Sequence, residues 1–222
     1  MNKVIQKVIQ GNPGYRKTRF HDEKGNLIAW QSLLLNGPRA ALTKLQSVIS
    51  NSPVEFPLIP YAAAQEIEKV LNSHSVVLEF GSGRSTIWLA KRCETLYSVD
   101  DNEYWFNLIR DKLSSPSLNN VIYELHLDTL DYVKFPNNSQ LLFDLILIDG
   151  TCRYKCLENS INQLRPGGYV YIDDTDKHLD DLKNSEKFIK ELVAIKGGEI
   201  KEYTDFSPEQ LFVKQGILAR VL

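Results

Sequence analysis

Val76-Val77-Leu78-Glu79-Phe80-Gly81-Ser82-Gly83-Arg84-Ser85 is the stretch that decides the fold. Its first five residues form a short apolar run that stops at a glycine turn, the pattern of a buried strand. A helical pattern opens near Ser85. Glycine lets the backbone approach a ligand with no side chain in the way. In open α/β sheets, ligands sit beyond the carboxyl ends of strands, where the strand order switches. The loop is therefore the first candidate for a binding site.

Three loop chemistries compete. A dinucleotide fingerprint wants Gly or Ala three positions after Gly83, where Thr86 stands, and a phosphate loop would end in Gly-Lys-Ser/Thr, which is absent. The third reading accounts for Glu79, an acid two residues before Gly81. A carboxylate there repels a pyrophosphate and attracts a cation. S-adenosylmethionine carries an ammonium and a sulfonium, so it suits the acid. Asp100 follows Glu79 by 21 residues, at the end of the next apolar run, where a carboxylate can accept both ribose hydroxyls. That spacing would serve a nicotinamide cofactor equally. Asp128, after the third run, is a candidate for the adenine edge or a helix N-cap.

Outward from the loop, strands and helices alternate. Apolar runs at 76–80, 95–99, 121–127, 141–148 and 169–172 read as strands, and 85–92, 104–112, 156–164 and 179–195 read as helices. Several of the runs are apolar on both faces, as in a parallel sheet covered by helices on both sides. The segments 199–204 and 211–221 lie too close together for a crossover and read as an antiparallel pair. Towards the amino end the rhythm differs. Helices are expected at 40–49 and 61–71, and turn clusters fall at 11–14 and 25–26. Residues 1–60 thus read as an extension that covers the acceptor pocket or joins two subunits, and 61–222 as the main domain.

The chain has 222 residues, 43% of them hydrophobic and 24% charged, which is ordinary globular composition. A formal net charge of -2 disfavours nucleic acid as the main partner. Cys93, Cys152 and Cys156 make neither a disulfide framework nor a zinc site, and packing accounts for them. The amphipathic stretch 1–10 lacks the apolar core of a signal peptide, and no run approaches a membrane span. The expected address is the cytoplasm. The basic run Arg16-Lys17-Thr18-Arg19 reads as a solvated face.

Residues 61–222 resemble the class I S-adenosylmethionine-dependent methyltransferases. Glu79-Phe80-Gly81-Ser82-Gly83 is similar to that superfamily's first motif, with Ser85 where many members carry a third glycine, and Asp100 is similar to its ribose-binding acid. Phe143-Asp144-Leu145-Ile146-Leu147-Ile148-Asp149-Gly150 resembles the fourth-strand motif, and Leu164-Arg165-Pro166-Gly167-Gly168 the turn before the fifth strand. The resemblance implies a doubly wound, Rossmann-like α/β sheet of seven strands with the last one antiparallel. It also implies a cofactor site of Glu79, Gly81, Ser82, Gly83, Ser85, Asp100, Asp128 and Asp149.

Methyl transfer is an in-line displacement, so alignment and removal of the acceptor's proton are the enzyme's tasks. Asp149 ends the fourth strand and is the candidate catalytic acid-base group. With Asp173 and Asp174, after the fifth strand, it resembles the Mg²⁺-binding acids of catechol O-methyltransferase-like enzymes, although Cys152 stands where those enzymes place a lysine. The alternative is a base without a metal. An Asn- or Asp-Pro-Pro-aromatic segment for amino acceptors and a Pro-Cys nucleophile for cytosine are both missing, which favours an oxygen acceptor on a small molecule. A non-catalytic S-adenosylmethionine-binding module and an RNA or nucleoside methyltransferase are the competing readings. His178 reads as a lone surface histidine, and Phe206-Ser207-Pro208 falls by position in the acceptor wall.

Overall fold

The computed structural model describes residues 15–114, 118–138 and 140–222; the expectations for 1–10 and 11–14 fall outside the described residues. Seven strands are formed: β1 (Val76–Phe80), β2 (Thr95–Asp100), β3 (Val121–Leu125), β4 (Phe143–Ile148), β5 (Leu164–Ile172), β6 (Gly198–Phe206) and β7 (Val213–Val221). They make one sheet in the order β3-β2-β1-β4-β5-β7-β6. β1 to β5 pair in parallel, and β7 runs antiparallel to both β5 and β6. The expected doubly wound sheet with its last strand reversed is what the chain builds.

Two consequences of this order position the site. The chain winds outward from β1 to β3 and then returns to β4 on the other side of β1, so the crevice opens between the carboxyl ends of β1 and β4. Because β7 is reversed, its amino end lies at that same edge. A side chain at the start of β7 is thus delivered beside the carboxyl ends of β4 and β5.

Strand pleating sorts the core into two layers. Leu78 and Phe80 pack with α5 (Thr129–Val133), α6 (Arg153–Ser160) and α7 (Asp180–Lys196). Val77 packs on the opposite face with α2 (Tyr61–Val70) and α3 (Arg84–Ala90). Glu79 shares the parity of Val77 and enters that second layer. Burying each apolar neighbour stabilises the fold by about 1.5–3 kcal/mol, whereas a carboxylate in their midst is costly unless it is bonded.

α1 (Trp30–Ser50) begins well before the helix expected at 40–49 and passes through Gly37-Pro38. Pro38 removes a backbone donor and would break an unsupported helix. Tertiary packing holds this one. Asn36 donates to Asp205 Oδ2 on β6 at 2.6 Å, and Ala40 closes over Ile28, Tyr61, Phe206 and Val213. Phe206 is therefore core beneath α1, not acceptor wall. β5 also starts early, at Leu164. Phe143 pairs with Leu164 and Leu145 with Tyr169, so the Pro166-Gly167-Gly168 turn is absorbed as a bulge within the strand.

The basic run is not a solvated face. Arg16 donates to the Val213 carbonyl, pairs with Glu23 and Asp176, and lies over the Phe212 ring, while Arg19 donates to the Leu211 carbonyl. The forked guanidinium reaches several acceptors at once, which ties this segment to the start of β7. No described helix is long and apolar enough to cross a membrane.

Candidate active site

The loop after β1 is pinned from both sides. The Phe80 carbonyl accepts from Asp149 N and Gly150 N, each at 2.9 Å, and Gly81 N donates to the Val99 carbonyl at 3.0 Å. Gly81 has φ +87°, and a Cβ there would overlap the Gly150 backbone. Only glycine meets both demands. Ser82 is held by Asp100, whose Oδ2 accepts from Ser82 N at 2.9 Å and from Ser82 Oγ at 2.5 Å. Asp100 Oδ1 accepts from Asn102 N at 2.9 Å. The carboxylate has further lone pairs for a ribose hydroxyl. Trp105, on α4 (Glu103–Leu113), donates its indole N–H to the Ser82 carbonyl and covers Gly83.

Beneath the loop lies Glu79, fully buried. Its Oε2 accepts from Thr86 Oγ1 at 2.6 Å and Ser98 Oγ at 2.7 Å, and Thr86 Oγ1 in turn accepts from Gly83 N at 2.8 Å. Ser98 faces Glu79 directly in the β1–β2 register. The Ser85 hydroxyl stands beside the carboxylate but outside hydrogen-bond geometry, so Oε1 has no partner among the described residues. Burial pushes the Glu79 carboxyl up to about 7, against the pull of the Ser85, Thr86 and Ser98 hydroxyls.

The second acid group forms where β4 and β5 end. Asp149, Asp173 and Asp174 each offer an oxygen within 4.8 Å of the others. Asp174 sits at φ +58°, a turn that folds its carboxylate back among them. Cations are already present. Lys214, from the start of β7, pairs with Asp173 and, at 2.9 Å, with Asp174. Arg153 pairs with Asp149 at 3.1 Å and Asp174 at 3.5 Å, and Lys177 also pairs with Asp174. Burial raises the Asp173 carboxyl, with Lys214 opposing; Asp174 is part-buried, which also pushes its carboxyl up, yet Lys214 and Lys177 hold it well below the usual carboxylate range. Lys214 and Arg153, both largely buried, together with the more exposed Lys177, already face the three acids, and that arrangement does not fit a divalent metal.

Ser85 is buried in the first turn of α3. Asp128 caps α5, its Oδ1 accepting from Leu130 N at 2.8 Å and Asp131 N at 3.3 Å. His178 bonds the Glu23 carbonyl at 3.0 Å and meets the Tyr15 ring edge-on. The three cysteines are free, and burial pushes the Cys93 thiol up to about 12 and raises Cys156 as well, which leaves both unreactive. Sequence reasoning missed Thr86, Ser98, Arg153 and Lys214. A lysine one residue into the largely apolar last strand was the one legible sign of the last.

Comparisons with known proteins follow the same lines. Residues 78–175 match a family profile described as a methyltransferase domain. A search of curated proteins finds no match. Among solved structures, an O-methyltransferase from Bacillus cereus in complex with S-adenosylhomocysteine shares the fold at 18% identity, covering 83% of this chain and 91% of its own, with a TM-score of 0.57. The O-methyltransferase TomG from Streptomyces achromogenes, involved in tomaymycin synthesis and solved with S-adenosylmethionine, does so at 16% identity, 83% and 79% coverage and a TM-score of 0.55. An rRNA methylase from Streptococcus thermophilus is also similar, at 17% identity, 73% and 95% coverage and a TM-score of 0.54. The profile match spans the glycine loop and both acid-bearing strand ends, so this part of the chain is similar to a methyltransferase domain, on a seven-stranded sheet whose last strand is reversed.

Proposed function

We propose that the protein methylates a hydroxyl of a small-molecule acceptor, with S-adenosylmethionine held over Gly81-Ser82-Gly83. The observation that carries this reading is the buried Glu79 carboxylate with one oxygen unpaired beneath the loop. A cofactor ammonium docked there satisfies it directly or through one water. Asp100 takes the ribose hydroxyls, and Trp105, Ser85 and Asp128 border the nucleoside.

S-adenosylmethionine supplies a methyl carbon already activated by positive sulfur. In the transfer, the acceptor oxygen bonds to that carbon, the carbon–sulfur bond breaks, and its electron pair stays on sulfur. The acceptor's proton goes to Asp149. That carboxylate is part-exposed at the crevice, and its Oδ2 has no partner among the described residues while Oδ1 is held by Arg153. Such a group is oriented and still free to take a proton.

Residues 1–60 then act as the acceptor-side cover of a domain at 61–222. Arg16 and the Glu23 backbone N–H both bond Asp176, in the connection after β5, which holds the cover beside Asp173 and Asp174. Leu34, Leu35, Leu42, Leu45 and Ile49 leave the outer side of α1 apolar and exposed, and a second copy is the occupant we assign to it. Free cysteines suit a cytoplasmic address.

Titration calorimetry with S-adenosylhomocysteine, followed by turnover on a panel of phenolic and sugar hydroxyls, tests the reading. Micromolar binding and transfer to oxygen are expected. Absence of binding sinks it, and transfer only to nitrogen or RNA removes the acceptor assignment. Light scattering behind size exclusion reads the copy number.

A further inference from the structure

The acids at the ends of β4 and β5 carry their own cation. Their six carboxylate oxygens can be followed one by one. Asp173 Oδ2 and Asp174 Oδ1 accept from the Lys214 ammonium. Asp173 Oδ1 accepts from the Tyr171 hydroxyl at 2.7 Å. Asp174 Oδ2 faces Lys177 and Arg153, and Asp149 Oδ1 faces Arg153. Only Asp149 Oδ2 has no partner among the described residues. A hard divalent cation needs several oxygens free to turn towards it, and here one is left.

Lys214 is equally committed. Its third proton goes to the Leu58 carbonyl at 3.1 Å, so an ammonium with three donors has three acceptors. Its side chain is 8% exposed, and leaving would strand the buried Asp173 carboxylate and the part-buried Asp174. Lys214, Arg153 and Lys177 already face Asp149, Asp173 and Asp174, so a divalent metal would bring two further positive charges beside an ammonium. The reversed direction of β7 is what brings the lysine here.

We propose that the Lys214 ammonium is the resident cation of this acid cluster, occupying the place a divalent metal would take, and that methyl transfer in this protein proceeds without a metal. Lys214 is a positioning residue. It fixes Asp174, Asp174 pairs with Arg153, and Arg153 holds Asp149 with Oδ2 free. The last clause of the proposal rests on the methyltransferase reading, but its test uses neither cofactor nor acceptor, so failure here leaves that reading standing.

The test titrates Mn²⁺ alone into the purified full-length protein and follows the free-ion electron paramagnetic resonance signal. Wild type and Lys214→Arg are expected to leave the signal unchanged at millimolar metal. Lys214→Met is expected to withdraw one Mn²⁺ per chain, and adding Asp173→Asn to that variant to abolish the uptake. Stoichiometric uptake by wild type that Asp174→Asn removes would overturn the proposal. A folded Lys214→Met protein that takes up none would overturn it too, because the ammonium would then be keeping nothing out. If Lys214→Met does not fold, thermal melting of wild type in Mg²⁺ and in EDTA decides. Identical curves support the proposal, and a Mg²⁺-dependent rise lost in Asp174→Asn defeats it.

Discussion

The carboxyl ends of β1 and of β4–β5 both bury acids, and they treat them in opposite ways. Glu79 has hydroxyl neighbours and no cation within ion-pair distance among the described residues, with one oxygen left over. Asp149, Asp173 and Asp174 are matched by three basic side chains. Burying a carboxylate is costly unless something compensates it. At the ends of β4 and β5 the chain supplies the compensation itself. At the end of β1 it leaves one carboxylate oxygen open, which the proposed function assigns to the cofactor. Cutting a built-in pair should therefore damage the fold, and changing the open acid should damage binding instead.

The largest effect is expected from Lys214→Ala, which leaves Asp173 buried and unpaired. Removing one partner of a buried pair costs about 3–5 kcal/mol, read as a lower denaturation midpoint in urea, and Lys214→Arg should recover most of it. A loss below about 1 kcal/mol would mean the pair is solvated in solution and the contrast fails. Next comes Glu79→Gln, which keeps the shape and removes the charge. S-adenosylhomocysteine should bind about a hundredfold more weakly by calorimetry, roughly 2.7 kcal/mol, while the protein stays folded. Equal affinity would show that the orphan oxygen does not meet the cofactor.

A pH series sharpens the same contrast. With the Glu79 carboxyl raised to about 7 by burial, the ionised form that attracts an ammonium fills between pH 6 and 8. Affinity for the cofactor product should then rise about tenfold across that window. Stability without ligand should move the other way. A carboxyl with a raised folded-state pKa favours the fold fully below its unfolded value of 4.5, and that contribution fades as pH climbs through 7. Both slopes should flatten in Glu79→Gln. Affinity that falls with pH would reverse the sign and remove Glu79 from the site.

The two regions also differed in how far they were legible. Glu79, Gly81 and Gly83 lie within five residues, so local pattern exposed the loop, and its strand, turn and helix formed as read. Asp149, Asp173 and Asp174 were visible as strand-end acids. Their cations were not. Lys214 is 40 residues beyond Asp174 and reaches it only because β7 is reversed and set in register with β5, a long-range fact. Ser98 depended likewise on the pairing of β2 with β1. α1 was read short because Pro38 is a local obstacle that the Asn36–Asp205 contact overrides. Arg16 looked solvated because its acceptors lie far along the chain.

The smallest effect concerns a polar link between the two halves. Thr151, after β4, donates to Asp101 Oδ2, after β2, at 2.6 Å across the crevice. Thr151 is exposed and water can replace the bond, so Thr151→Val should cost no more than about 1 kcal/mol of stability. Its effect on binding is the informative one. If the halves act independently, one holding the cofactor and the other the acceptor, the affinity for S-adenosylhomocysteine should change by less than about threefold, since under 0.7 kcal/mol is then at stake. A loss approaching that of Glu79→Gln would mean that closing the crevice is part of cofactor binding. Asp101 and Thr151 would then belong to the binding site with Glu79, and the division between an open acid and a self-compensated one would no longer coincide with a division of labour.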